Sequence, residues 1–301
     1  MSRRHIAPAL LTVLSSAVFA CTSNQMVPAA DSHSAPDHTT PSGSAGVPQT
    51  QGLPPDASGA MARLSTSPRH GEWAMIHSAE GDSIRAWVVY PERSTKAPVI
   101  VVVHEIFGLS SWVRSVADQL AADGFIAIAP DLLTMKNLPD GPDSVLAPFA
   151  TAAIRTLDPA RVQRQLDAVG QYGMSLPAAE KKYGIVGFCW GGGISFAHAV
   201  HSPSLGASVV YYGVSPPTAE LASVHAPVLG LYGGSDARVD ATIPLADSAM
   251  HALGRTYEHV IYPRAGHGFL RQQSGMDGAN LAAARAAWPA TLAWFRKYLG
   301  S

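Results

Sequence analysis

The sequence predicts an α/β domain: a mostly parallel, doubly covered sheet of about eight strands with a small cap region. Two observations lead to it. Continuous apolar, β-branched runs such as residues 98–103 (P-V-I-V-V-V) alternate with segments of helical spacing, the pattern of strands buried on both faces. Residues 183–196 (Y-G-I-V-G-F-C-W-G-G-G-I-S-F) pass from a short apolar run through Gly187-Phe188-Cys189-Trp190-Gly191 into an apolar helical stretch, so strand, sharp turn and helix follow one another directly.

The remaining elements read in order. Residues 73–77 and 84–90 flank a Gly81-Asp82 turn and form a leading hairpin. After the strand at 98–103, Val113, Val116, Leu120 and Ala121 share one face of a helix over 112–123 that stops at Gly124. Residues 125–129, 183–186, 207–211, 228–231 and 257–262 supply further strands, and Val162, Leu166 and Val169 mark the helix before the elbow strand. Residues 132–159 lack that periodicity and carry several prolines, glycines and aspartates, which reads as a loop or short-helix cap beside the strand ends.

The first seventy residues have a different character. Arg3 and Arg4 precede an apolar stretch from Ile6 to Ala20, so residues 1–20 read as a secretory signal peptide, too short to span a bilayer comfortably. Val18-Phe19-Ala20-Cys21 resembles a bacterial lipobox with an unusual phenylalanine, and it fits acylation of Cys21 and plain secretion equally well. The protein is expected to cross the inner membrane and reside in the periplasm, free or as a membrane-anchored lipoprotein. Residues 21–70, rich in Ser, Pro, Ala, Gly, Thr and His, read as a disordered tether, placing the domain at 71–301. His33 and His38 are isolated and make a poor metal tract, and no metal or cofactor is expected. A net charge of −1 without basic runs excludes the electrostatic footprint of a nucleic-acid binder, whereas 47% hydrophobic residues permit a sizeable core. Export would expose Cys21 and Cys189 to an oxidising compartment, but the tail and the turn are expected to hold them apart without a disulfide.

The chemistry centres on Cys189. Glycines flank it because the turn forces a strained backbone and close approach of its neighbours. Downstream, Leu231-Tyr232-Gly233-Gly234-Ser235-Asp236 puts an aspartate just past one apolar run, and Arg264-Ala265-Gly266-His267 puts a histidine just past another. Nucleophile, acid, histidine is the chain order of an α/β-hydrolase triad, with cysteine in the serine's place. The thiolate is the reactive form, and a helix N-terminus together with His267, oriented by Asp236, would favour it. The oxyanion would be met by backbone amides, those of Trp190 and Ile106. Glu105, directly after a buried strand, is either a helix-cap residue or part of the site.

With His104-Glu105-Ile106-Phe107-Gly108-Leu109, residues 124–132 (G-F-I-A-I-A-P-D-L), the Cys189 elbow, Tyr211-Tyr212-Gly213-Val214, the Asp236 turn and residues 266–271 (G-H-G-F-L-R), the chain from Pro98 to Ser301 resembles the dienelactone hydrolase family of α/β-hydrolases. That resemblance implies the α/β-hydrolase fold, a glutamate at Glu105 that interacts with the nucleophile and helps activate it, and an arginine at Arg271 that binds a substrate carboxylate. The family's second such arginine, in the cap, has no clear counterpart; Arg155 and Arg161 are the candidates. The expected activity is hydrolysis of a small ester or lactone, of the dienelactone or carboxymethylenebutenolide type, through an acyl-thiol intermediate on Cys189. The alternatives are a broader carboxylesterase or thioesterase, and a non-catalytic envelope binding protein. The expected partner is a small-molecule substrate, and the expected state a monomer.

Overall fold

The computed structural model describes residues 52–300. In chain order these form α1 (Ala60–Thr66), β1 (Gly71–His77), β2 (Ser83–Val89), β3 (Ala97–Val103), α2 (Ser111–Ala122), β4 (Ile126–Pro130), α3 (Asp143–Ile154), α4 (Pro159–Ser175), β5 (Ala179–Phe188), α5 (Trp190–His201), β6 (Ala207–Tyr211), β7 (Val228–Gly233), α6 (Ala237–Asp240), α7 (Ile243–Ala252), β8 (Tyr257–Tyr262) and α8 (Ala279–Leu299), with short 3₁₀ turns between. The strands make one eight-stranded sheet in the order β1-β2-β4-β3-β5-β6-β7-β8. Only β1 with β2 and β2 with β4 are antiparallel; every other pair is parallel.

Every residue of β3 is buried, and its side chains alternate between two core layers. Ile100 and Val102 join one layer; Val99, Val101 and Val103 join the other. Val113, Val116 and Leu120 of α2, with Trp288 and Phe295 of α8, fill the first layer, while Val162 and Leu166 of α4, Phe196 of α5 and Met250 of α7 fill the second. Helices therefore cover both faces, as a parallel sheet with apolar strands requires. Because β3, β5, β6, β7 and β8 run in the same direction, the loops that leave them gather at one edge, where the site of an α/β sheet opens.

Helix boundaries follow from caps that the sequence supplies. Ser110 caps α2 by accepting from the Val113 amide, and Asp158 caps α4 by accepting from the Arg161 amide at 2.7 Å, with Pro159 in the first turn, where its missing N–H costs nothing.

One expectation is corrected. The folded part reaches back well before residue 71: Leu53 and Ala60 are buried in the core, α1 packs on α2, and Arg63 and Arg69 both reach the buried carboxylate of Asp118. A polar, Pro- and Gly-rich stretch orders here because the domain supplies partners that composition does not reveal. The cap, expected as a loop or short helix, contains the twelve-residue α3, with Pro148 inside it. Its apolar residues are spread around the helix, leaving no clear stripe to read. The expected signal peptide, Cys21, His33, His38 and the tether up to residue 51 lie outside the described residues. No helix of the described residues is long and apolar enough to cross a membrane.

Candidate active site

Phe188 ends β5 and Trp190 begins α5, leaving Cys189 alone to make the turn, which it does at φ 57° and ψ −116°. A non-glycine residue at such φ costs on the order of 1–3 kcal/mol, which the surroundings must impose. They do so through close approach: a Cβ on Gly187 would run into the Gly191 carbonyl, and a Cβ on Gly191 into the carbonyl oxygens of Val103 and His104. The Cys189 amide donates to Tyr211 O at 3.1 Å, fixing the elbow to the neighbouring strand.

Asp236 follows β7 in a turn closed by its amide on Gly233 O at 2.8 Å. His267 follows β8, beside a Gly266 amide held by Asn280 Oδ1 at 2.9 Å. These turns bring His267 Nδ1 to 2.5 Å from Asp236 Oδ2. The Asp236 side chain is 8% exposed and that of His267 34%. With the carboxylate accepting from Nδ1–H, Nε2 is left as the basic nitrogen.

Among the described residues Cys189 is a free thiol. Burial pushes the thiol up from its ordinary value, and the Glu105 carboxyl pushes it the same way; the backbone amides of Trp190 and Ile106, which favour the thiolate, and the charge of Arg238 pull it down. The two amides expected to hold an oxyanion thus face the resting sulfur.

Glu105, at the start of the loop leaving β3, is 3% exposed, and its Oε2 lies 3.2 Å from Arg271 Nε without hydrogen-bond alignment. Burial raises its pKa from 4.5 to about 7, outweighing the opposing charge of Arg271. The Arg271 guanidinium lies 4.9 Å over the Phe107 ring. Tyr212, fully buried and at φ 40°, places its ring 5.2 Å from that of His267, and its hydroxyl has no partner among the described residues. Burial holds that phenol protonated, with Glu105 and Cys189 acting in the same direction.

The cap touches the same parts. Thr151 of α3 donates to Ile106 O at 3.3 Å, and Ile106 and Trp190 pack against Leu133, Ala150 and Ile154. The buried His104, kept neutral by desolvation, stacks on Trp190 at 5.5 Å and donates from Nδ1 to Glu105 O at 2.8 Å. A cleft of about 380 Å³ beside the cap is lined by Phe107, Leu109, Asp131, Leu133 and Leu146 but not by Cys189, Asp236 or His267. Phe107 is the wall between it and Arg271, so this cleft is a neighbour of the catalytic groups rather than their pocket.

Cys189, Asp236, His267, Glu105, Ile106 and Arg271 sit on loops and turns at this one edge of the sheet, and Trp190 opens α5 beside them. Arg161 does not join them: its guanidinium is bound to Asp82 in the hairpin turn, at 3.0 Å from Nε to Oδ1. Arg155 caps the end of α3 on the surface. The cation acting on the nucleophile is Arg238, two residues past Asp236 in the one-turn α6, and an exposed arginine there carries no pattern in the sequence. Tyr212 was visible only as part of a motif. No group of three or more His, Cys, Asp or Glu among the described residues is placed to hold a metal ion.

The model of the dienelactone hydrolase family matches residues 84–299 of the chain. The chain belongs to the dienelactone hydrolase family. It is therefore a hydrolase with the α/β-hydrolase fold. Among its relatives are proteins named "Putative carboxymethylenebutenolidase" from Salmonella typhimurium, 32% identical over 234 residues covering 74% of this chain and 86% of the relative, and from Escherichia coli K12, 30% identical over 266 residues covering 84% and 97%. A solved "Putative Dienelactone Hydrolase" from Klebsiella pneumoniae superposes with a TM-score of 0.67 at 30% identity, covering 76% of this chain and 99% of that one.

Proposed function

We propose that this dienelactone hydrolase family member cleaves small esters or lactones, with dienelactone-type carboxylates preferred, through a covalent acyl-thiol intermediate on Cys189. One observation carries the reading: the sulfur faces two backbone amides beside a carboxyl poised near pH 7, while His267, bound to Asp236 through Nδ1, keeps Nε2 for proton transfer.

In the first half-reaction the thiol gives its proton to ionised Glu105, and the thiolate attacks the substrate carbonyl carbon. The sulfur has to move off the Trp190 and Ile106 amides as it attacks, because the new oxyanion requires those same donors. Collapse of the tetrahedral intermediate breaks the ester C–O bond, and the leaving oxygen takes the proton from Glu105. In the second half-reaction His267 Nε2 takes a proton from water, the hydroxide attacks the acyl carbon, and the C–S bond breaks. The proton on His267 then returns to sulfur, so one water is consumed and an acid and an alcohol are released.

Arg271 supports the preference for a carboxylate, since its guanidinium can exchange Glu105 for a substrate carboxylate. A broader carboxylesterase is the second reading, favoured by the engagement of Arg161 with Asp82 in place of substrate. The test is a screen of small lactones and p-nitrophenyl esters with wild type beside Cys189→Ala. The variant should lose turnover while keeping its fold, because alanine fits the elbow without offering a nucleophile; undiminished turnover would end the thiol mechanism.

Export belongs to the same proposal. Arg3, Arg4 and the apolar stretch before Cys21 support cleavage and passage across the inner membrane. The mass of the mature N-terminus separates an acylated Cys21 from an unmodified cut, and an N-terminus still at Met1 would overturn export.

A further inference from the structure

We infer that residues 53–59, which precede the segment matched by the family, are a positioning element for Arg271 and so help set the preference for acidic substrates. The inference rests on the reading of Arg271 as a carboxylate binder. Three hydrogen bonds to backbone groups of the strap carry it, and Gln273 joins one of them to the stretch before Arg271. The Ala57 amide donates to Arg271 O at 2.9 Å, Gln273 Nε2 donates to Pro54 O at 2.9 Å and to Leu270 O at 3.1 Å, and Trp112 Nε1 donates to Pro55 O at 3.1 Å. Leu53 is buried in the same core layer as Leu270 and Phe269, so the strap is fixed beneath the stretch that runs from His267 to Gln273.

The strap itself is shaped to present that amide. Asp56 Oδ1 accepts from the amides of Ser58 and Gly59, both at 3.1 Å, which holds the peptide around Ala57 in a turn. Beyond the strap, Arg63 and Arg69 clamp Asp118, whose side chain is 3% exposed, which fixes α1 on α2 independently of the contact with Arg271.

Arg271 depends on this support because little else orients it. Its Nε finds no hydrogen-bond partner among the described residues, although Glu105 Oε2 is 3.2 Å away. Where the guanidinium sits is therefore set by the ring of Phe107 beneath it and by the backbone it leaves from. That backbone is held by its own turn, through the Arg271 amide on Gly268 O at 2.9 Å, and by the strap. A displaced guanidinium would still balance Glu105 but would meet a substrate carboxylate in a poorer geometry, and bidentate pairing is sensitive to geometry.

The experiment uses the full chain and compares kcat/KM for an acidic dienelactone with that for neutral p-nitrophenyl acetate. Gln273→Leu removes the side-chain donors to Pro54 and Leu270, and Ala57→Pro removes the amide donor to Arg271 without touching a buried side chain. Each should lower the acidic-to-neutral ratio about 3- to 10-fold, the scale of one lost hydrogen bond, mainly through KM for the acidic substrate. Arg63→Ala, which loosens the distant anchor, should lower Tm and leave the ratio unchanged. An equal shift of the ratio in Arg63→Ala, or no shift in Gln273→Leu and Ala57→Pro while Arg271→Ala does shift it, would overturn the positioning role. If Arg271→Ala itself leaves the ratio unchanged, the carboxylate reading fails and the role of the strap goes with it.

Discussion

Glu105 Oε2 and Arg271 Nε face each other at 3.2 Å in a pocket that leaves the carboxyl side chain 4% exposed, and burial still prevails over the arginine's charge. A carboxyl raised to about 7 from 4.5 holds its proton in the folded state over a range where the unfolded chain has released it. Stability from this group is fully present below pH 4.5 and is lost as pH rises through about 7, a loss of about 3 kcal/mol. Glu105→Gln has no such dependence. It should match wild type near pH 4 and exceed it by about that amount at pH 8 in urea unfolding, while hydrolysis slows because the thiol loses its acceptor. A variant no more stable than wild type at pH 8 would show that the carboxyl is not strained by burial.

The elbow gives a second prediction. Gly191→Ala sets a Cβ against the carbonyls of Val103 and His104, which belong to β3 and the loop behind the oxyanion donors. Neither is the free end of a flexible side chain, so the backbone has to shift, at a cost of about 3 kcal/mol or a fall in Tm of roughly 6–12 °C. Calorimetry on the variant checks it, with an unchanged Tm as the contrary result.

Asp236→Asn tests the 2.5 Å contact with His267 Nδ1. The amide keeps the shape but no longer fixes the tautomer that leaves Nε2 basic. Turnover should fall on the order of 10²–10⁴-fold, and KM should fall with it as the acyl-enzyme accumulates. The deacylation step should suffer most, so an ester with a fast leaving group should show a burst followed by slow release.

The elbow, the acid and the histidine were legible because each is a residue type with few roles placed at the end of an apolar run, and strand ends are where an α/β sheet opens. The alternation of β-branched runs with helical segments likewise gave the sheet and its covering helices. The strap was not legible, since what orders Leu53, Pro54 and Pro55 is a set of partners on α2 and beyond β8, none of them local in sequence. Helix α3 was legible only as a loop or short helix for a different reason: its apolar residues from Val145 to Ile154 run around most of its circumference, and Pro148 discourages a helical reading. Arg238 escaped because its significance is its reach to Cys189, which spacing alone does not express.

The strap also sets where the domain can be cut. A chain starting at residue 71 leaves the Trp112 and Gln273 donors without their carbonyls and strips two arginines from the buried Asp118. A buried donor or carboxylate left unpaired costs about 1–3 kcal/mol or more each, so this chain should melt well below one starting at residue 52. Equal melting temperatures for the two would place residues 52–70 outside the cooperative unit.

The charges around Cys189 make the sharpest test, because two substitutions should move one observable in opposite directions. Glu105 pushes the thiol up and Arg238 pulls it down, whereas burial, the largest influence, is untouched by replacing either side chain with glutamine. The rate of alkylation by iodoacetamide follows the thiolate fraction, so its pH profile reports the thiol directly. Arg238→Gln removes a stabilising cation and should move the profile to higher pH. Glu105→Gln removes a neighbouring anion and should move it to lower pH. Peptide mapping isolates the signal of Cys189 from that of Cys21, and Arg271→Ala serves as the third arm. With its arginine gone, Glu105 binds its proton more tightly, so over the neutral range this variant should resemble Glu105→Gln more than Arg238→Gln. Profiles that shift together in all three variants would mean that general destabilisation, not the charge of these neighbours, governs the nucleophile.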